Sequence, residues 1–155
     1  MSTVDGIIFW RNSTYVHQVF KLQKRVVRVM SGVGLRSSCR SLLRKLNILS
    51  IACQYILSLM LFIVDNQKDF LTNVYVQGLD PRNKNHVYLC IVSLSYVQKG
   101  VSYSGVKICN SLPSNIQSHR NDRKILKNKL YRYLITHSFY SITEFLECKI
   151  GKDNI

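Results

Sequence analysis

The chain has 155 residues, of which 46% are hydrophobic, and this excludes a chain disordered by composition. Lys and Arg number 22 against 8 Asp and Glu, a net charge of +14 that calls for an anionic partner. Nucleic acid is the first such partner, because phosphates attract Lys and Arg and release counterions on binding; an anionic membrane surface is the second.

The first predicted element runs from Thr14 to Ser31. Val16, Val19, Phe20, Val26, Val27 and Met30 recur at helical spacing as its apolar face. Lys21, Lys24, Arg25 and Arg28 follow the i, i+3, i+4, i+7 pattern opposite it, as one basic stripe. Ser13 or Thr14 caps the start, and Gly32 and Gly34 end the helix. A shorter helix spans Ser38 to Leu46, capped by Ser37 or Ser38. Its expected buried stripe is Leu42, Leu43 and Leu46, and its wet side Arg40, Arg44 and Lys45.

Ile48 to Val64 is the most apolar stretch. A membrane-spanning helix needs about 20 apolar residues, so a central helix buried by its neighbours is favoured over insertion. Tyr55, Leu59 and Phe62 are expected to be buried there, with the first and last helices packed against them. Asn66 to Asn85 is polar, with turns at Gly78 and Asp80-Pro81. Val87 to Leu94 leans to a short strand, and Lys99-Gly100 breaks the chain again. Val101 to Asn110 fits a strand or a short helix, stopped by Pro113. Asp122 caps a last long helix with Ile125, Leu126, Leu130, Tyr133 and Leu134 on its apolar face. Lys124, Lys127, Lys129 and Arg132 carry that helix's charge. Ser141 to Glu144 reads as a capping box before Phe145 and Leu146. These elements define a single domain over residues 1–155, mainly α. It is a small helical bundle around a central apolar helix, with at most one short strand or hairpin.

The charge is unevenly placed. No Asp or Glu occurs between Gly6 and Val64, while Arg11, Lys21, Lys24, Arg25, Arg28, Arg36, Arg40, Arg44 and Lys45 all lie there. A second basic run extends from Arg120 to Arg132. Any one of these cations suits a solvated helix face; the asymmetry as a whole suits a nucleic-acid backbone. Lys21, Lys24, Arg25, Arg28, Arg36, Arg40, Lys124 and Lys127 are the candidate contacts. No base-reading motif accompanies them, so binding is expected to be independent of sequence.

Catalytic chemistry is not visible. The chain lacks a nucleophile-elbow, P-loop or Rossmann glycine pattern. It has no Asp-Asp pair of the kind that holds two metal ions; Asp65 and Asp69, near a helix end, read as solvated. His17, His86, His119 and His137 lack metal-site spacing and read as surface or interface residues. Ser102 to Gly105 matches no catalytic motif, and Tyr103 and Ile108 read as packing residues. No catalytic residue, metal or cofactor is assigned. Cys39, Cys53, Cys90, Cys109 and Cys148 are odd in number and widely spaced. They suit small buried hydrophobes in a reducing compartment, and no secretory signal opens the chain; an intracellular site, cytoplasmic or nuclear, is expected.

Several phrases in order resemble the C-terminal part of jockey-type non-LTR retrotransposon reverse transcriptases. They are Gly6 to Trp10 with Asn12-Ser13, Phe20 to Met30, and Ser38 to Leu43 with Leu46 to Leu49 and Gln54 to Ile56. They continue in Arg82 to Lys84, Gln98 to Val101 with Tyr103, Asn110 to Pro113, and His137 to Ser141 with Glu144-Phe145. Arg11 and Pro81 depart from the pattern, where glycine and threonine are usual. The resemblance implies a thumb-like, post-palm segment of an RNA-directed DNA polymerase that grips template and primer. It places the catalytic aspartates on a palm outside this chain, which would be the segment's partner. It further implies a reading frame begun partway through an element. A different class, a small basic protein anchored in a membrane through 48–64, is the alternative.

Overall fold

Gly32 and Asn47 set the first two corners of the fold, each in the left-handed region, at φ 63° and φ 53°. The computed structural model describes residues 15–66 and 101–150. Among these residues lie seven helices and no strand: α1 (Val16–Met30), α2 (Cys39–Lys45), α3 (Ile51–Asp65), α4 (Val101–Asn110), α5 (Ser114–Gln117), α6 (Arg123–His137) and α7 (Ile142–Ile150). The mainly α bundle expected from the sequence is the fold observed. The expected strand at Val87 to Leu94, the turns before it, Cys90, His86 and the caps Ser13 and Thr14 lie outside the described residues.

α1 ends in a Schellman turn. The Val33 N–H donates to Arg28 O at 3.1 Å and the Gly32 N–H to Val29 O at 3.1 Å, satisfying carbonyls that the helix leaves open. α2 ends the same way, with Ile48 N–H on Leu43 O at 2.9 Å and Asn47 N–H on Arg44 O at 3.1 Å. Asparagine supplies the left-handed residue there. Ser38 precedes α2 in extended conformation but makes no side-chain cap bond.

α3 is the central helix. Ser50 caps it, accepting from the Cys53 N–H at 3.2 Å. Its side chains from Tyr55 to Leu61 are buried without a break, as is Ile63. α6, α4 and α7 pack on it, through Leu126, Leu130 and Leu134, Val106, Ile108 and Cys109, and Phe145. Phe139, in the turn between α6 and α7, meets Phe145 edge to face at 5.4 Å. α4 settles the open choice at Val101 to Asn110 in favour of a helix. Gly105 lets it lie close to α3, since a β-carbon there would meet Ile63. Gln117 on α5 then donates from Nε2 to Leu112 O at 2.8 Å, covering the chain as it leaves α4.

Several sequence expectations are corrected. Phe62 is only half-buried, whereas Tyr55 and Leu59 are buried. Phe62 sits on the α3 edge that α6, α4 and α7 do not fully cover. Leu42 and Leu46 are also half-buried, leaving Leu43 alone of the α2 stripe in the interior. Ile125 is 41% exposed, beside a buried Leu126. Asp65 is paired rather than simply solvated: Arg123 Nε lies 2.8 Å from its Oδ1. α1 rests mainly on α2, where packing against α3 is expected. Its link to α3 is polar: Gln23 donates to Leu49 O at 2.8 Å and accepts from Ile51 N–H at 3.1 Å. The one-turn α5 has no counterpart among the elements expected from the sequence.

Candidate nucleic-acid interface

The basic stripe of α1 exists as one helix face but not as four equivalent solvated charges. Lys24 Nζ lies 4.6 Å from the Phe20 ring centroid and 5.8 Å from that of Tyr140. Phe20 and Tyr140 meet edge to face at 5.1 Å. Arg40 approaches the same Tyr140 ring, its Cζ 4.6 Å from the centroid, a cation–π distance. Tyr140 therefore joins the α1 stripe to α2.

Glu144 anchors the junction. Its carboxylate pairs with Arg40 at 2.7 Å and accepts from the Tyr140 N–H at 2.8 Å. Its own N–H donates to Ser141 Oγ at 3.0 Å. The capping box is thus present with its return bond moved one residue back, from Ser141 to Tyr140. Burial pushes the Tyr140 hydroxyl above its ordinary pKa, and Cys39 adds to this; Arg40, Ser38 and Arg28 pull it back. Arg28 donates from Nε to Ser37 O at 3.0 Å, holding the loop between α1 and α2.

The eight candidate cations fall into three sets. Lys24, Arg28 and Arg40 make intramolecular contacts and are half-buried. Lys21 and Arg25 on α1, and Arg36 in the loop before α2, are exposed and have no partner among the described residues. Lys124 and Lys127 are likewise exposed on the first half of α6. Among the described residues no hydrogen bond, ion pair or ring contact joins either side chain to the α1–α2 group. The nearest link is one turn further along α6, where Tyr131 donates to Asn47 O at 2.8 Å. Tyr140, Phe20 and Glu144 are additions to the cations that the sequence singles out. In the sequence Phe20 reads as part of the apolar face of the first helix and Glu144 as part of the capping box, and nothing but its place directly before that box marks Tyr140.

Cys39, Cys53 and Cys109 are buried free thiols and Cys148 is partly buried. Burial pushes Cys53 and Cys109 above the ordinary thiol pKa, the environment of an unreactive cysteine. His119 and His137 are half-buried: His137 stacks on Phe139 at 5.2 Å, and His119 lies 3.2 Å from Lys129 Nζ. No group of three His, Cys, Asp or Glu among the described residues comes together to hold a metal. None of the helices among those residues is long and apolar enough to cross a membrane. No family model, no curated protein and no solved structure matches the chain.

Proposed function

We propose that this chain binds the backbone of RNA or DNA without reading sequence, as a non-catalytic C-terminal segment of a retrotransposon RNA-directed DNA polymerase. The ordered phrases of the sequence support the origin, and the palm of that polymerase is then its protein partner. One observation carries the binding reading: Tyr140 draws Lys24 and Arg40 to one place. Lys21 and Arg25 on α1, and Arg36 in the loop that leads to α2, stand exposed. Like charges repel, and a phosphate chain passing along this surface neutralises them. The fixed cations position the surface and the exposed ones supply the salt-dependent contacts. Anchorage through 48–64 is disfavoured, since α3 is a 15-residue helix walled in by α4, α6 and α7. An intracellular site follows from the polymerase reading.

The test is fluorescence anisotropy of a labelled single-stranded RNA across a salt series. Affinity is expected to be about micromolar or weaker at physiological salt. Changing Lys21, Arg25 and Arg36 to Gln should flatten the log–log salt slope by about 0.7–0.9 for each phosphate no longer neutralised. Circular dichroism should be unchanged, because all three side chains are exposed. A folded triple variant with the parent's slope would overturn the site. On a poly-A template with magnesium or manganese no primer extension is expected, for want of a carboxylate pair to hold two metal ions. Metal-dependent incorporation would overturn the non-catalytic reading.

A further inference from the structure

We infer that α1 carries a docking seam for an amphipathic helix of another protein, one with an apolar 3–4 repeat flanked by acidic residues. Val19, Leu22, Val26 and Val29 follow one another at alternating spacings of three and four residues, and Tyr15 and Val33 continue the pattern at either end. This is the a/d spacing by which one helix receives another. Leu22 is 59% exposed, Val26 54% and Val29 74%. Scattered apolar residues on a surface need no account, but an aligned row of them marks a contact.

The expected apolar face of α1, drawn through Val16, Val19, Phe20, Val26, Val27 and Met30, is divided by the structure. Val27 is buried against α2, with Phe20 held by Tyr140 and Gln23 by the start of α3. Val26 and Met30 face outward, with Met30 61% exposed. α2, a helix of seven residues, is too short and too far to one side to cover the remainder.

The shape and charge of the seam choose among occupants. At 100° per residue the four helical positions span about 80° of the circumference, the narrow seam of paired helices rather than the wider apolar stripe of a core-facing or membrane-lying helix. A second copy brings another +14 and repulsion with it. Arg25 lies beside the seam in the position where paired helices place charges that choose the partner, and Lys21 follows behind it. With no Asp or Glu between Gly6 and Val64, this side of the molecule complements Glu and Asp along the incoming helix. The seam lies across α1 from Lys24 and the Tyr140 ring, so the partner helix leaves these two open, while Lys21 and Arg25 lie between the two surfaces and are shared by them.

The probe is a synthetic heptad-repeat peptide with Leu at a and d and Glu at e and g, titrated into the full chain by calorimetry. A peptide with Lys at e and g is the control. The acidic peptide should bind and the basic one should not. Val26→Asp should weaken binding about tenfold or more, because an unpaired carboxylate would be buried in the seam. Arg25→Glu should shift preference toward the basic peptide. Both variants should melt as the parent does, since both side chains are exposed. The inference is overturned if the acidic peptide does not bind, or if it binds the Val26→Asp chain equally well. It is overturned also if Val26→Asp abolishes self-association or binding to anionic vesicles that the parent shows. A marked fall in the melting temperature of Val26→Asp alone would overturn it too, by placing the seam against the chain itself.

Discussion

Gly105 stands so close to Ile63 that a β-carbon built on it would lie 2.7 Å from Ile63 Cδ1, with Leu59 Cδ1 at 3.5 Å. Both neighbours are fully buried, so neither can swing into solvent. Interiors are packed too tightly to absorb an added methyl without displacement.

Gly105→Ala should therefore lower stability. Overpacking costs about 1–3 kcal/mol, against a helix-propensity gain of about 1 kcal/mol over glycine. Ile63→Val removes the clashing carbon at a cost of its own of about 0.5–1.5 kcal/mol. In urea unfolding the double variant should be more stable than the two losses added together. Strict additivity would show that α4 and α3 do not meet at this point.

Leu59 and Phe62 should behave differently although both lie on α3. Leu59 is fully buried, and truncating it to Ala should remove about 2–5 kcal/mol, comparable with the entire stability of a small domain. Cooperative unfolding should be lost. Phe62, half-buried at the edge of the core, should leave a cooperative but lowered transition when changed to Ala. Thermal melts that rank the two the other way would contradict the packing described.

Glu144 holds Arg40 at 2.7 Å, and the two side chains are each 36% exposed. Such a pair contributes about 0–1 kcal/mol to stability. Glu144→Gln keeps an oxygen for the Tyr140 N–H while releasing Arg40 and removing a negative charge from the basic junction. RNA should bind this variant more tightly, with a salt slope steeper by about 0.7–0.9, at little cost in melting temperature. Unchanged or weaker binding by a folded variant would place the phosphate path elsewhere.

The sequence reveals those elements whose signals are local. α1, α2, α3 and α6 follow from periodicity and from caps such as Asp122, whose carboxylate accepts from the Lys124 and Ile125 N–H groups at 2.9 and 3.0 Å. α4 is ambiguous in sequence because Val101, Tyr103, Val106 and Ile108 suit a strand as well as a helix, and packing against α3 decides between them. α5 escapes because a single turn after Pro113 has no periodicity to detect. At the candidate interface, the cations are legible as residue types on a helix face. Their division into fixed and exposed sets is not, since it depends on Tyr140 coming back to Lys24 and Arg40 from the far end of the chain. Periodicity likewise marks which side of α1 is apolar, and cannot say how much of that side so short a helix as α2 covers.

The start of α3 is tied to the turn that follows α6. Ser50 Oγ donates to Phe139 O, and Cys53 Sγ lies 3.7 Å from Leu134 O and 3.6 Å from Phe139 O. Non-local closures of this kind are slow to form. During synthesis, α1, α2 and α3 must leave the ribosome before α6 and the turn after it, which pack on the central helix, have been made. Until then, the most apolar segment of the chain has no wall on that side. The consequence is a chain whose folding waits on its last third, and for which a holding chaperone matters most in that interval.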